Sequence, residues 1–151
     1  MGGLLLAPRT LGEVQRWLRP EDFAGTATRL TYSLILAMDA RGVPVDPVTA
    51  QPEMRRESLL RRDGYSTIEL VRMVEAVPVP TATACDARMV LTESITRGVQ
   101  SLGKRLAQLG STPRDPEHLF GAVAEQLRSV DAMRRRWNLA FGQDVPEAPG
   151  S

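Results

Sequence analysis

The stretch "MVLTESITRGVQSLGKRL", Met89 to Leu106, decides the fold. Its second half contains G-x-x-x-x-G-K, Gly98 to Lys104, one residue short of the nucleotide-cradling P-loop. Read as a P-loop, it opens an ATP- or GTP-dependent α/β enzyme. Read as part of a helix, it leaves an all-α chain without a site for chemistry. A P-loop needs a buried strand ahead of it, a glycine-rich turn whose N–H groups face the phosphates, and a Ser or Thr for magnesium. Here the residues before Gly98 carry a helical stripe, and Val99 and Leu102 inside the motif continue it. The residue after Lys104 is Arg105, which cannot ligate magnesium, and no downstream apolar strand ends in an aspartate. The helix reading wins, and the motif reads as a decoy. Gly98 and Gly103 are then helix glycines, each costing on the order of 1 kcal/mol of helix propensity. Close approach of a neighbouring helix is the expected compensation.

Working outward, the stripe is long. From about Thr83 to Leu109 there is no proline. Ala84, Ala87, Leu91, Ile95, Val99, Leu102, Leu106 and Leu109 recur at steps of three and four, the spacing of one helix face. "GSTPRDP" then reads as a loop, with Asp115 as cap and Pro116 and Glu117 suited to a helix start. The second stripe is Phe120, Val123, Leu127, Val130, Met133 or Arg134, Trp137 and Phe141. Two long amphipathic helices joined by a short loop predict an antiparallel hairpin.

The first half is punctuated more densely. "TLGEVQRWL" reads as a short helix with Thr10 and Glu13 as a capping box, and with Leu11, Val14, Trp17 and Leu18 on one face. "RPEDF" is a turn that returns Phe23 to the core. "GTATRLTYSLILAMDARG" is a helix with Leu30, Leu34, Ala37 and Met38 together and Gly42 as its stop. Asp46 then caps a helix that opens on Pro47, and Pro52 should end or kink it. "YSTIELVRMVEA" predicts another helix, "VPVPT" a rigid break, and the tail "QDVPEAPGS" a frayed end.

Composition narrows the function classes. The chain has 151 residues, 42% hydrophobic and 25% charged, with net charge +1. It can bury a core, and it is no polycation aimed at nucleic acid. One cysteine, Cys85, excludes an internal disulfide, and the lone His118 has no neighbouring ligand for zinc. No apolar run approaches a membrane span, and "GGLLLAP" lacks the basic start of a signal peptide, so the default location is the cytoplasm. Of 19 basic residues only Lys104 is lysine, a bias that suggests a GC-rich bacterial genome. Ser94, Ser101 or Ser111 with His118 lacks the elbow of a hydrolase, and His118 reads as a surface residue. Glu21 and Asp22 read as solvated turn residues, and Cys85 as a small packed side chain. Arg134, Arg135 and Arg136 beside Trp137 have two readings: contacts to nucleic acid, or the charged face of a helix whose Trp137 packs inward. Arg55, Arg56, Arg61 and Arg62 have the same two.

One ordered succession says more. "LRPEDF" (Leu18–Phe23), followed by "RLTYSLILAMDARGVPVDPVT" (Arg29–Thr49), resembles the N-terminal domain of DnaB-type replicative helicases. "GLLLAPRTL" (Gly3–Leu11) stands where that family's Leu-rich opening belongs. "VEAVPVPTATACDARMV" (Val74–Val90) is similar to its passage into a helical hairpin. The resemblance covers roughly Gly3 to Phe141. It implies an all-α fold: a compact multi-helix head, then a long antiparallel helical hairpin that pairs with another subunit's hairpin. In the family this domain is a non-catalytic collar that docks primase or loading factors, and a RecA-like motor follows it. These residues match the collar and not the motor. Pro52 sits where the family keeps a helix, which predicts a remodelled Pro47–Leu60.

The expected organisation is therefore a helical head over 1–80, a self-associating hairpin over 81–143 and a disordered tail over 144–151. The expected function is a protein-interaction and oligomerisation module of DNA replication, with no catalytic, cofactor or metal residues. Leu91, Ile95, Val99, Leu102, Leu106, Val123, Leu127, Val130 and Trp137 are the candidate self-association residues. Expected partners are the chain itself, as a dimer or ring of dimers, and a full-length replicative helicase, primase or helicase loader. Nucleic acid contact through Arg134, Arg135 and Arg136 is expected to be weak or indirect, and no membrane is involved.

Overall fold

Leu11, Val14, Trp17 and Leu18, the four apolar residues of the first short helix and the turn after it, are all fully buried. They anchor the first of two compact units, Met1–Val90; the second is Leu91–Ser151. The computed structural model describes residues 10–56, 83–111 and 115–142. The predicted helix over 65–76, the break over 77–81, the "GLLLAP" segment, Arg61, Arg62 and the tail lie outside the described residues.

In the first unit, α1 (Leu11–Val14) is a single turn. The Leu18 N–H donates to the Val14 carbonyl at 2.9 Å, so the chain keeps its helical sense up to Leu18. Thr10 precedes α1 but has helical torsions and makes no capping bond with its side chain, so the expected capping box does not form. A side-chain oxygen caps only from an extended backbone, which Thr10 does not have. A 3-10 turn, Pro20–Asp22, follows. Its Asp22 was expected in solvent and is instead buried, accepting the Arg19 N–H at 2.7 Å. The carboxylate thus satisfies a turn donor that would otherwise be stranded. Glu21 stays exposed.

The turn delivers Phe23 onto Tyr32, with ring centroids 5.2 Å apart and planes at 53°. Tyr32 sits on α2 (Thr26–Ala40) and its hydroxyl donates to the Leu18 carbonyl at 3.3 Å. Burial, and secondarily the Asp22 charge, push the Tyr32 phenol well above its ordinary range, so it remains a donor. The buried face of α2 carries Thr31, Leu34, Ile35 and Met38, with Tyr32 at its edge. Ala37, expected in the core, is exposed, and Leu30 is only half-buried. Tyr32 is held by Phe23 and by the Leu18 carbonyl, contacts that apolar spacing alone does not register.

Gly42 ends α2 as anticipated. Its φ is +67°, its N–H donates to Asp39 at 2.9 Å, and the Val43 N–H reaches back to Met38 at 2.9 Å. That pair of bonds is the Schellman arrangement, which glycine adopts without steric cost. Asp46 then caps α3 (Pro47–Arg56): its Oδ1 accepts the Val48 and Thr49 N–H groups at 2.8 and 2.9 Å. Helix α3 runs through Pro52 rather than ending there. The missing N–H deprives the Val48 carbonyl of a partner, but Val48 is 80% exposed and Pro52 is also exposed, so water can take the acceptor. Arg41 and Glu53 tie the end of α2 to α3 by an ion pair.

Hydrogen bonding from the Thr49 N–H lowers the Asp46 carboxyl pKa. The Val48 N–H and the Thr49 hydroxyl add to this, and together they outweigh an opposing desolvation. A carboxyl with a lowered folded pKa stabilises fully above its unfolded value, about 3.9, and the contribution is lost as pH falls through the folded value. Between pH 6 and 3, Asp46→Asn should therefore lose less thermal stability than wild type, because asparagine still caps but does not titrate. Parallel melting curves for the two proteins across that window would rule out the cap if their temperatures fell by equal amounts.

Helix α4 (Thr83–Ser111) starts in the first unit and continues into the second, where α5 (Pro116–Phe141) completes the hairpin. Asp115 and Pro116 stand at the start of α5 as expected, although the Asp115 side chain makes no capping bond. Cys85, expected to pack, is exposed. It lies two residues from the buried Ala87, about 200° around the helix, and so points away from that face.

Candidate self-association surface

Gly98 to Arg105 lies wholly inside α4, so no turn with convergent N–H groups exists there. Gly98 is a close-packing position: a Cβ added to it would stand 2.7 Å from Met133 Cε and 3.1 Å from Met133 Sδ. Thirteen residues separate Gly98 from the end of α4, and seventeen separate Met133 from the start of α5. At about 1.5 Å per residue, only two helices folded back side by side can bring them together. Gly103 differs from expectation, since nothing within the chain lies within 4 Å of its added Cβ. Met133 is long enough to cover one helical turn, and Gly103 is more than one turn further along.

The hairpin divides the predicted self-association residues into two groups. Leu91 is fully buried, and Ile95, Leu102, Val123 and Trp137 are half-buried. Val99, Leu106, Leu127 and Val130 are exposed large apolar side chains, Val99 at 53% and Leu127 at 60%. Phe120 belongs to the stripe on α5 but not to the expected interface, yet it is the most exposed large apolar residue of the hairpin at 71%. Its position two turns before Leu127 was the signal that could have found it. Near the end of α5, Trp137 stacks on Phe141 with centroids 4.0 Å apart.

Both exposed rows fall on one side of the hairpin. At about 100° per residue, Val99 and Leu106 lie roughly a quarter turn on from the row of α4 centred on Gly98 and Leu102. Phe120, Leu127 and Val130 lie a similar angle on from the Met133–Trp137 row of α5. Antiparallel helices wind in opposite senses when viewed from one end, so equal offsets land on the same side.

The arginines expected as nucleic-acid contacts are split. Arg134 and Arg135 are exposed and Arg136 is half-buried. Arg134 pairs with Asp131 at 3.1 Å, which neutralises part of the cluster. Arg55 and Arg56 lie in α3, and nothing further is described of their side chains. His118 is exposed in the first turn of α5. No described helix is long and apolar enough to cross a membrane.

With this geometry in hand, comparison with known proteins is decisive for the family. A family model described as "DnaB-like helicase N terminal domain" matches residues 1–91. The chain belongs to the DnaB-like helicase N-terminal domain family. Among curated relatives, the "Replicative DNA helicase DnaB" of Mycobacterium leprae is 33% identical over 110 residues, covering 73% of this chain and 18% of that protein. The "Replicative DNA helicase DnaB" of Geobacillus stearothermophilus is 30% identical over 141 residues, covering 93% of this chain and 31% of that protein. The "Replicative DNA helicase DnaC" of Bacillus subtilis is 26% identical over 147 residues, covering 97% and 32%. The chain thus spans a third or less of these relatives. Among solved structures, the N-terminal domain of DnaB helicase from Mycobacterium tuberculosis superposes with a TM-score of 0.68 at 27% identity. That match covers 93% of this chain and 90% of the other, and it carries the all-α fold expected from the sequence.

Proposed function

We propose that this protein is a non-catalytic interaction module of the DNA replication machinery and associates with itself through its hairpin. The observation that carries the proposal is the row of exposed apolar side chains on α4 and α5, Phe120 and Leu127 foremost. An apolar surface of this kind on a helical hairpin is normally covered by another protein surface. The DnaB-like helicase family supplies the context: its N-terminal domain accompanies replicative helicases, and partners by this reading are further copies of the chain, a replicative helicase, primase or helicase loader. By this reading the work takes place in the bacterial cytoplasm. The G-x-x-x-x-G-K match at 98–104 is a decoy on this account, because a continuous helix runs through it.

A second reading, nucleic-acid binding through Arg134 and its neighbours, draws on the exposure of Arg134 and Arg135. It is disfavoured by the Asp131 pairing and by a net charge of +1. Calorimetric titration with Mg-ATP and fluorescence anisotropy with single- and double-stranded oligonucleotides test both at physiological salt. Mg-ATP should not bind, and neither oligonucleotide should bind with submicromolar affinity. Micromolar ATP binding abolished by Lys104→Ala would make the protein a nucleotide binder. Salt-sensitive oligonucleotide binding lost on replacing Arg134–Arg136 would make it a nucleic-acid protein.

A further inference from the structure

Three methionines stand in three different surroundings. Met38 is fully buried on α2, Met89 is 60% exposed near the start of α4, and Met133 is half-buried on α5. The Met133 sulfur is set against the backbone of the other hairpin helix. A Cβ added to Gly98 would stand 3.1 Å from Met133 Sδ and 2.7 Å from its Cε, so the thioether fills the space that glycine leaves open on α4. Gly98 lowers helix propensity, and this close contact offsets the loss.

Two properties meet at Met133. Half-burial leaves a small oxidant a path to the side chain, and the seat at Gly98 fits the apolar thioether and nothing larger. A sulfoxide in its place carries an added oxygen that needs a hydrogen-bond donor. On the Gly98 side there is no room for that oxygen, because the position a Cβ would take is already crowded by the methionine. Nor does Gly98 offer a donor, since it lies in the interior of the continuous helix α4 and its N–H belongs to the helix ladder. The new acceptor therefore either stays unbonded in the seam or carries the side chain out of the notch toward water. Both outcomes remove the contact that joins α4 to α5 at this point.

We propose that Met133 is an oxidation site through which a peroxide loosens the hairpin. The sulfur lone pair attacks one oxygen of hydrogen peroxide, the O–O bond breaks and an S–O bond forms. Sulfur gives up two electrons, and the departing hydroxide takes the proton of the transferred oxygen and leaves as water. Methionine sulfoxide reductase with a thiol reductant reverses the step, which makes the site a switch as well as a lesion. Met89 meets the same oxidant, but its side chain is mostly in solvent, so its sulfoxide is hydrated and disturbs little. Met38 is shielded by burial. The Gly98–Met133 contact lies within one chain, so its loss is read whether or not the protein associates with itself.

The test is hydrogen exchange read by peptide mass spectrometry on the full chain, before and after graded exposure to hydrogen peroxide. Peptides spanning Met133 with and without the added oxygen separate by mass, so both forms are compared within one wild-type sample. The oxidised form should exchange at least about tenfold faster, the loss expected when a buried polar group goes unsatisfied. Peptides around Gly98 should lose protection in step with Met133 oxidation, and those of α2 should not. Reductase treatment should restore the original rates. Met133→Leu, a volume-conserving change, should make the exchange of both hairpin helices indifferent to peroxide, whereas Met89→Leu should give no such resistance. Met133 left unoxidised when Met89 is fully converted would overturn the proposal. So would an oxidised Met133 peptide that exchanges as slowly as its unmodified form, or a Met133→Leu protein that loses protection as the wild type does.

Discussion

Trp17→Ala should unfold the head. Trp17 is among the largest fully buried side chains of the described residues, and Leu11, Val14 and Leu18 of the same unit are buried as well. Truncating a buried tryptophan costs about 3–5 kcal/mol, from lost burial and from the cavity left behind. Whole domains are stable by only about 5–15 kcal/mol, so one such cavity removes a large share. The neighbours cannot close the gap readily. Leu18 gives its carbonyl to the Tyr32 hydroxyl, and Tyr32 is held in turn against Phe23. Circular dichroism melting should show the variant losing its cooperative transition or melting many degrees lower. A melting temperature within a few degrees of wild type would remove Trp17 from the centre of the head.

The second large effect separates folding from assembly. Leu102 is half-buried in the hairpin, whereas Leu127 is 60% exposed. An aspartate at 102 should therefore disturb the hairpin itself. An aspartate at 127 should leave the isolated chain helical and act on association alone. Burying a leucine contributes roughly 1.5–3 kcal/mol. A twofold interface loses that at two symmetric sites, about 3–6 kcal/mol in all. The buried carboxylate adds a desolvation cost on top. Leu127→Asp should thus raise the dimer dissociation constant by at least about a hundredfold with little change in helicity.

How much of this was legible in the sequence depends on the kind of signal. Helix ends marked by special residues came through: Gly42 stops α2, Asp46 caps α3 and Pro116 opens α5. The long stripes also came through, because a helix of seven or eight turns repeats its pattern often enough to fix its period. Facing direction was harder. A stripe says which side of a helix is apolar but not which part of it a neighbour covers. Ile95 and Val99 are consecutive members of one stripe, yet Ile95 is half-buried and Val99 exposed. Local chemistry that depends on tertiary contact was not legible either. Asp22 is buried while accepting the Arg19 N–H, and Tyr32 is held by Phe23 and the Leu18 carbonyl, while Ala37 is exposed. Pro52 does not end α3, and the carbonyl it orphans belongs to the exposed Val48, where water can reach it.

The candidate surface was legible as a stripe and not as an interface. Val99, Leu106, Leu127 and Val130 were picked correctly as large apolar residues, but the same spacing also selected Ile95, Leu102, Val123 and Trp137, which are half-buried. Phe120 was passed over, though its exposure makes it the most prominent apolar side chain of the hairpin.

Multi-angle light scattering of the wild-type chain beside Leu127→Asp, at high micromolar concentration, bears most directly on the central claim. The wild-type protein should have the mass of two chains or a multiple of two, about 33 kDa for the dimer of a 16.6 kDa chain, at both low and high salt. The variant should run as a folded monomer. A wild-type protein that remains at the mass of one chain throughout would contradict the account.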